Sequence, residues 1–354
     1  METTRACVFH GKDDVRVEEV PRPIAGVSDT GELSPQDRLR LGVECARLAP
    51  TGHNRQAWFF RLGTDYADLF ADTKLSLPVI DPDKRELAMS CGVALFYMRL
   101  ALRYRGRRDV VEMHPDPLNP DWIARVHLGE PMDAGVEDAR MYHAIRRRHT
   151  NRLPFFPGAV PEALPAELIA AARHEGGWLQ IIGDKSVRAV VASLVKDGVH
   201  SQSRSATFHQ EMDEWSPQMR KSDTDGFFHR SPEIRELLTH NGVMTTLNGG
   251  DLLAQKEQVF ATQAALLVVI GTTGDVTADW VVAGQTLARV LLLAAASGIN
   301  ATYLNHPIQV SHLRPLLRDA IGMQAHPQLC LAMGYASAVI AAPRRRLEEI
   351  MRHE

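Results

Sequence analysis

Residues 91–115 read CGVALFYMRLALRYRGRRDVVEMHP, and residues 283–307 read AGQTLARVLLLAAASGINATYLNHP. A shift of 192 positions lays one over the other without a gap. Gly92 meets Gly284, Leu95 meets Leu287, Leu100 meets Leu292, Gly106 meets Gly298, His114 meets His306 and Pro115 meets Pro307. Unrelated windows of this length share about one or two identities, so six point to a degenerate duplication. Two Leu/Ala-rich helices can align on composition, but matched glycines and a matched His-Pro pair are not compositional. Each copy opens with a helix apolar nearly all round, which belongs in a buried centre. The pattern predicts two modules packed against each other across these central helices.

Around the repeat, Ala6–His10 and Val15–Glu18 read as a β-hairpin followed by a Pro-rich linker from Pro21 to Gly31. Ser34 caps a helix running to about Leu48, with Pro35 at its first position. Trp58–Leu62 reads as a strand, and Asp81-Pro82 starts the first apolar helix, which ends near Gly106. Short strands, a helix near Ala139–Arg147, a Pro-rich crossover from Leu153 to Pro165 and a further helix–strand–helix follow. Residues 200–256 read as polar and irregular, with Trp215, Phe227 and Phe228 at their aromatic tips. The rest alternates strands with helices and ends in a basic tail. The expected division is an appendage and linker (1–31), a first half (32–135) and a second half (136–354) carrying the insertion.

Hydrophobic content of 45% and charged content of 23% are ordinary globular values, and a net charge of −3 gives no pull toward nucleic acid or an anionic membrane. Val281–Ala296, the most apolar stretch, is interrupted by Gly284, Gln285, Thr286 and Arg289 and is not expected to span a membrane. Four cysteines without CxxC spacing suggest a reducing cytoplasm, and the first residues do not resemble a signal peptide. Fifteen histidines form no HExxH pair or Cys/His cluster, so no metal is expected, and no Gly-x-Ser-x-Gly elbow marks a hydrolase.

The segment Arg146-Arg147-Arg148-His149-Thr150-Asn151-Arg152 holds four arginines in seven positions. Such a cluster needs solvent or an anion, and guanidinium forks with a neighbouring threonine hydroxyl suit a phosphate. A solvated basic helix end explains the segment equally well by itself.

Other residues favour the anion. Arg148-His149-Thr150-x-Arg152 resembles the opening motif of nitroreductases, which implies contact with the phosphate, ribityl chain and pyrimidine edge of FMN. Ala49-Pro50-Thr51-Gly52-His53-Asn54-Arg55-Gln56-Ala57-Trp58 resembles the family's Pro-Ser-x-x-Asn-x-Gln-Pro-Trp loop, with Thr51 and Ala57 as departures. Thr51, Asn54 and Gln56 would then face the flavin. Pro343-Arg344-Arg345-Arg346-Leu347 resembles the final basic motif, casting Arg344 and Arg346 as phosphate partners of Arg148. Asp81-Pro82-x-x-Arg85-Glu86-Leu87 and Cys91-Gly92-x-Ala94-Leu95 complete a resemblance over roughly residues 35–350. It is to the Acg branch of nitroreductases, single chains built from two fused, diverged halves.

The resemblance implies an α+β nitroreductase-like fold, an intramolecular pseudo-dimer with central apolar helices and one FMN per chain. The chain would be a monomer or a weak homodimer, with a small molecule as substrate. Gly298–His306 aligns with the stretch whose backbone N–H meets the flavin N5, so Asn305 or His306 would lie there. The implied activity is ping-pong hydride transfer from NAD(P)H through FMN to a nitroaromatic or quinone-like acceptor. Arg152 would stabilise the reduced flavin, and residues 200–256, long and aromatic-tipped, would form either a lid over it or a surface insertion. A lid that stays shut would make the protein an FMN-sequestering one with little turnover. Residues 5–23 resemble the first hairpin of zinc-dependent alcohol dehydrogenases, but the zinc-ligand loops of that family are absent.

Overall fold

The computed structural model describes residues 3–11, 14–21, 33–215, 224–225, 249–339 and 341–352. The N-terminal hairpin is present: β1 (Thr3–Gly11) pairs antiparallel with β2 (Asp14–Pro21), with Cys7 opposite Val17. The Pro-rich linker lies outside the described residues.

Two four-stranded antiparallel sheets follow. The first contains β3 (Trp58–Leu62), β4 (Tyr66–Ala71), β5 (Arg107–Met113) and β6 (Trp122–Pro131), in the order β3-β4-β6-β5. The second contains β7 (Trp178–Ile181), β8 (Leu266–Thr272), β9 (Asn300–Tyr303) and β10 (His326–Gly334), in the order β7-β8-β10-β9. Each sheet runs first, second, fourth, third strand. Each also carries a long helix between its second and third strands, α2 (Arg85–Tyr104) in one and α8 (Thr277–Ala296) in the other. The chain therefore repeats one topology, as residues 91–115 and 283–307 suggest.

The repeat is visible where α2 and α8 cross. A Cβ on Gly92 would lie 2.2 Å from the Val281 carbonyl oxygen, and one on Gly284 would lie 2.0 Å from that of Met89. Gly92 and Gly284 are equivalent in the repeat, and so are Met89 and Val281. Equivalent positions face each other, as they do across a two-fold interface. Only hydrogen-sized side chains allow this approach. Around the crossing, Leu95, Phe96, Leu100, Val290 and Leu292 are fully or almost fully buried in one core shared by both sheets. By length and composition α8 could cross a bilayer, which the sequence reading discounts because of its polar interruptions; 72% of its most apolar window is buried inside the protein.

The remaining elements fix the approach to the seam. α1 (Pro35–Ala46) is capped as expected, the Ser34 hydroxyl accepting from the Asp37 N–H at 3.2 Å. α2 begins four residues later than expected. Asp81 caps it instead of leading it, its carboxylate accepting from the Glu86 and Leu87 N–H groups at 2.9 Å each. α3 (Val136–Ala144) and α4 (Leu164–His174) pack on α8.

The segment expected to be irregular includes three helices. α5 (Lys185–Ser203) extends past residue 200, α6 (Ala206–Glu214) follows it, and α7 (Gly249–Gln263) ends before β8. α6 docks on the first half. The Glu211 carboxylate accepts from the N–H groups of Val79 (2.8 Å) and Ile80 (2.9 Å), while Phe208, Met212 and Trp215 pack with Leu77 and Ile80. Trp215 is thus a packing residue. Phe227 and Phe228 lie outside the described residues.

Between β9 and β10 lie the one-turn α9 (His306–Gln309) and α10 (Leu313–Ala320). The C-terminal tail, assigned to the second half by sequence, crosses to the first sheet. Past α11 (Leu347–Ile350), Met351 bridges β3 at Phe60, and the Arg352 N–H donates to the Phe60 carbonyl at 2.8 Å. The Arg352 guanidinium pairs with Asp72 and stacks 3.7 Å from the Phe59 ring centroid.

Candidate functional site

The Asn-x-Gln loop follows α1 directly, and its backbone is strained. His53, Asn54 and Gln56 have φ of 53°, 56° and 51°. Asparagine tolerates the left-handed region, whereas histidine and glutamine adopt it at a cost of roughly 1 kcal/mol or more each. Hydrogen bonds to distant segments hold them there. The Asn54 amide donates to the carbonyls of Pro343 (3.1 Å) and Thr224 (3.3 Å), and the Gln56 amide donates to Thr224 (2.8 Å). The Gln56 carbonyl oxygen accepts the Arg345 N–H at 2.8 Å, and the Asn54 oxygen accepts from Arg344 Nη1 at 2.7 Å. Asn54 and Gln56 therefore spend their polar atoms on the tail and the insertion, and through them fix Arg344. The sequence reading expects them to face a ligand. The Thr51 hydroxyl is buried without a hydrogen-bond partner.

The arginine-rich segment leaves α3 and runs beside β9. Thr150 bridges Ala301, and the Asn151 N–H donates to the Ala301 carbonyl at 2.8 Å. Arg146 and Arg147 are exposed, whereas Arg148 is buried. Tyr97, from the centre of α2, lies against Arg148, and burial pushes its hydroxyl pKa up. Arg344 is close to Arg148 as well. Burial, then Arg148, then smaller contributions that include Arg47, bring its pKa down to about 10. The Nε atoms of Arg47, Arg148 and Arg344 are all sealed from solvent without an acceptor. Arg148, His149 and Thr150 also line a small pocket with Leu291, Ile299 and Tyr303. Arg346 is not part of this group: it is exposed, and its backbone N–H donates to the Glu349 carboxylate at 2.6 Å, capping α11.

Several other inward-facing arginines are paired with carboxylates, whereas the fully buried Arg55 donates to the carbonyls of Gly52 and Leu75. Arg85 pairs with Glu86 at 3.7 Å, Arg99 with Asp109 at 2.5 Å, and Arg103 with Asp138 at 3.1 Å. Arg289, which the repeat makes equivalent to Tyr97, is closed off by Glu137 and, at 2.9 Å, by Glu175. Uncompensated buried charge is costly, so a cluster left open beside paired neighbours is a place for an anion.

A second group lies toward the insertion. Arg152 is solvent-exposed and lies near Glu257 and Tyr303. His53 lies near it; burial, then Arg55 and Arg152, lower its pKa to about 3. Burial, then Arg148 and Arg344, lower that of His149 to about 4. Both imidazoles are neutral at pH 7.

His306 differs. Burial alone would lower its pKa, but Glu257 on α7, with Nε2–Oε2 at 2.9 Å, outweighs burial and raises it. Its Nδ1 lies 2.5 Å from the Gln202 side-chain oxygen. A Cβ on Gly198 would lie 2.7 Å from the His306 carbonyl carbon, so α5 packs directly on this turn. The Asn305 side chain is turned away into the sheet, accepting the Cys330 N–H at 3.0 Å.

Sequence reasoning misses Arg47, Tyr97, Gln202 and Glu257. Arg47 lies four residues before Thr51 in the same run, which is the signal that could have found it. The other three carry no local pattern, since long-range packing alone brings them to the seam.

Two like-topology sheets packed through a shared helix pair, with an arginine cluster at their seam, define an α+β protein of two like-folded modules. Comparison with known proteins agrees. A Mycobacterium tuberculosis (strain H37Rv) protein provisionally named an NAD(P)H nitroreductase is 28% identical over 322 residues, covering 89% of this chain and 91% of its own. The protein provisionally named NAD(P)H nitroreductase acg, from the same strain, is 26% identical over 322 residues, covering 89% and 95%. No family model matches the chain. Among solved structures, the FMN-dependent nitroreductase NfnB from Mycobacterium smegmatis in complex with NADPH aligns at TM-score 0.41 and 18% identity, over 60% of this chain and 97% of its own. The resemblance read from the motifs is thus to proteins that share nearly the whole chain.

Proposed function

We propose that the chain binds FMN at the seam of two fused modules and works as an NAD(P)H-dependent oxidoreductase on a small nitroaromatic or quinone-like acceptor. The observation that carries this reading is the convergence of Arg148 and Arg344, distant in sequence, each with its Nε buried and without an acceptor. Orphaned buried donors of this kind fit a phosphate monoester. Bound FMN would accept a hydride from the nicotinamide and deliver it to the acceptor.

The chain's own residues would hold and tune the site. Arg148, Arg344, Thr51 and Thr150 would bind the phosphate end, with His149 beside them. Arg152, exposed to solvent, would offset negative charge at the pyrimidine edge. Asn54 and Gln56 would position Arg344 instead of touching the flavin. His306, paired with Glu257, would hold a proton at the reactive edge. One FMN per chain, a monomeric pseudo-dimer and a cytoplasmic location complete the proposal.

One observation favours the alternative of flavin storage with little turnover. The insertion reaches the site, because Thr224 accepts from Asn54 and Gln56, and Asp225 pairs with Arg345 at 2.8 Å. Purified protein should be yellow at about one FMN per chain, and Arg148→Gln should lose that colour. Anaerobic mixing with NADPH or NADH separates the two readings. Fast bleaching supports the enzyme and absent bleaching supports storage, while colourless protein with FMN supplied overturns both.

A further inference from the structure

We propose that Arg47 is a third guanidinium for the phosphate end of the bound mononucleotide, a role that none of the sequence motifs assigns. The inference rests on the FMN reading above. Arg47 immediately follows α1, and its Nη1 donates to the Arg345 carbonyl at 3.1 Å, which sets it beside Arg344. Its Nε is buried without an acceptor, as are those of Arg148 and Arg344. Among the described residues, none of these three makes a salt bridge to a carboxylate, although Arg85, Arg99, Arg103 and Arg289 all do. The three come from separate parts of the chain: the end of α1, the end of α3 and the C-terminal tail. Nothing local forces them together, and their charges repel.

A dianion at their centre resolves the repulsion, and the dianionic monoester of FMN carries the matching charge and acceptor oxygens. Riboflavin, which has the same ring and ribityl chain without the phosphate, would leave the cluster uncompensated. The competing role for Arg47 is purely structural, as a clamp on the Arg345 carbonyl. The two roles differ in which flavin they affect.

Fluorescence-quenching titration of the full chain with FMN and with riboflavin tests this, using wild type, Arg47→Gln, Arg47→Lys and Arg148→Gln. Loss of a charge-assisted contact should weaken FMN binding by about ten- to a hundred-fold. Riboflavin binding should change by less than about two-fold, and Lys should recover part of the FMN affinity through charge without the fork. Equal losses for both flavins in Arg47→Gln, or no loss for either, would overturn the proposal. If Arg148→Gln also leaves the FMN-to-riboflavin ratio unchanged, the FMN reading itself fails. If Arg148→Gln alters that ratio and Arg47→Gln does not, only the role of Arg47 fails.

Discussion

Replacing Gly92 with alanine tests the centre of the fold. The new methyl group would lie 2.2 Å from the Val281 carbonyl oxygen and 3.1 Å from the Gly284 Cα. Ordinary carbon–oxygen contact begins near 3.2 Å, so α2 and α8 must separate by about 1 Å, disturbing a core in which Leu95, Phe96 and Leu292 are fully buried. Overpacking of this kind costs about 1–3 kcal/mol. For a chain of this length that lowers Tm by roughly 1–4 °C in a thermal melt followed by circular dichroism. Gly183→Ala is the control, since a Cβ there meets nothing within 4 Å. Gly284→Ala should cost a similar amount. The double variant should cost clearly less than the sum, because one separation of the helices relieves both clashes. A Gly92→Ala protein as stable as Gly183→Ala, or strict additivity in the double variant, would refute a single shared crossing point.

Two further outcomes are expected. Because the pKa of His306 is raised in the folded protein, its pairing with Glu257 stabilises fully below the usual histidine pKa near 6.5 and fades as pH rises through the raised value. The Tm gap between wild type and Glu257→Gln should therefore be widest in mild acid and narrow toward alkaline pH; a gap independent of pH would count against the ion pair. The thiols of Cys45, Cys91 and Cys330 are buried, and burial raises the first to about 11 and the last to about 12. Mass-mapped alkylation at pH 8 should leave all three unmodified until denaturant is added, and native labelling of any of them would show that the core opens.

The repeat was legible because glycines at a helix crossing cannot drift without breaking it. Trp58–Leu62 was legible for its run of strand-forming residues, whereas β4 was missed. Its Asp68 reads as a loop residue but is buried and paired with Arg125 at 2.7 Å. α6 and α7 look irregular in sequence because their few apolar positions serve docking surfaces, such as the contact of Phe208 and Met212 with Leu77 and Ile80. The motifs around residues 51–56 and 343–346 were legible as neighbours of one site. Their division of labour was not, because only the left-handed turn at His53–Gln56 shows that the amides hold Arg344. Arg346 looked equivalent to Arg344 by its place in the motif the tail resembles, yet a helix start carries it outward.

The Arg289 cage has an evolutionary consequence. In an assembly of identical subunits every substitution is made at both seams, so neither can change alone. Copies joined end to end would be free of that constraint, and here the equivalent positions differ: tyrosine beside arginines at one, arginine locked by two glutamates at the other. A lineage that tethers its halves can specialise one seam for chemistry and recruit the other as mortar.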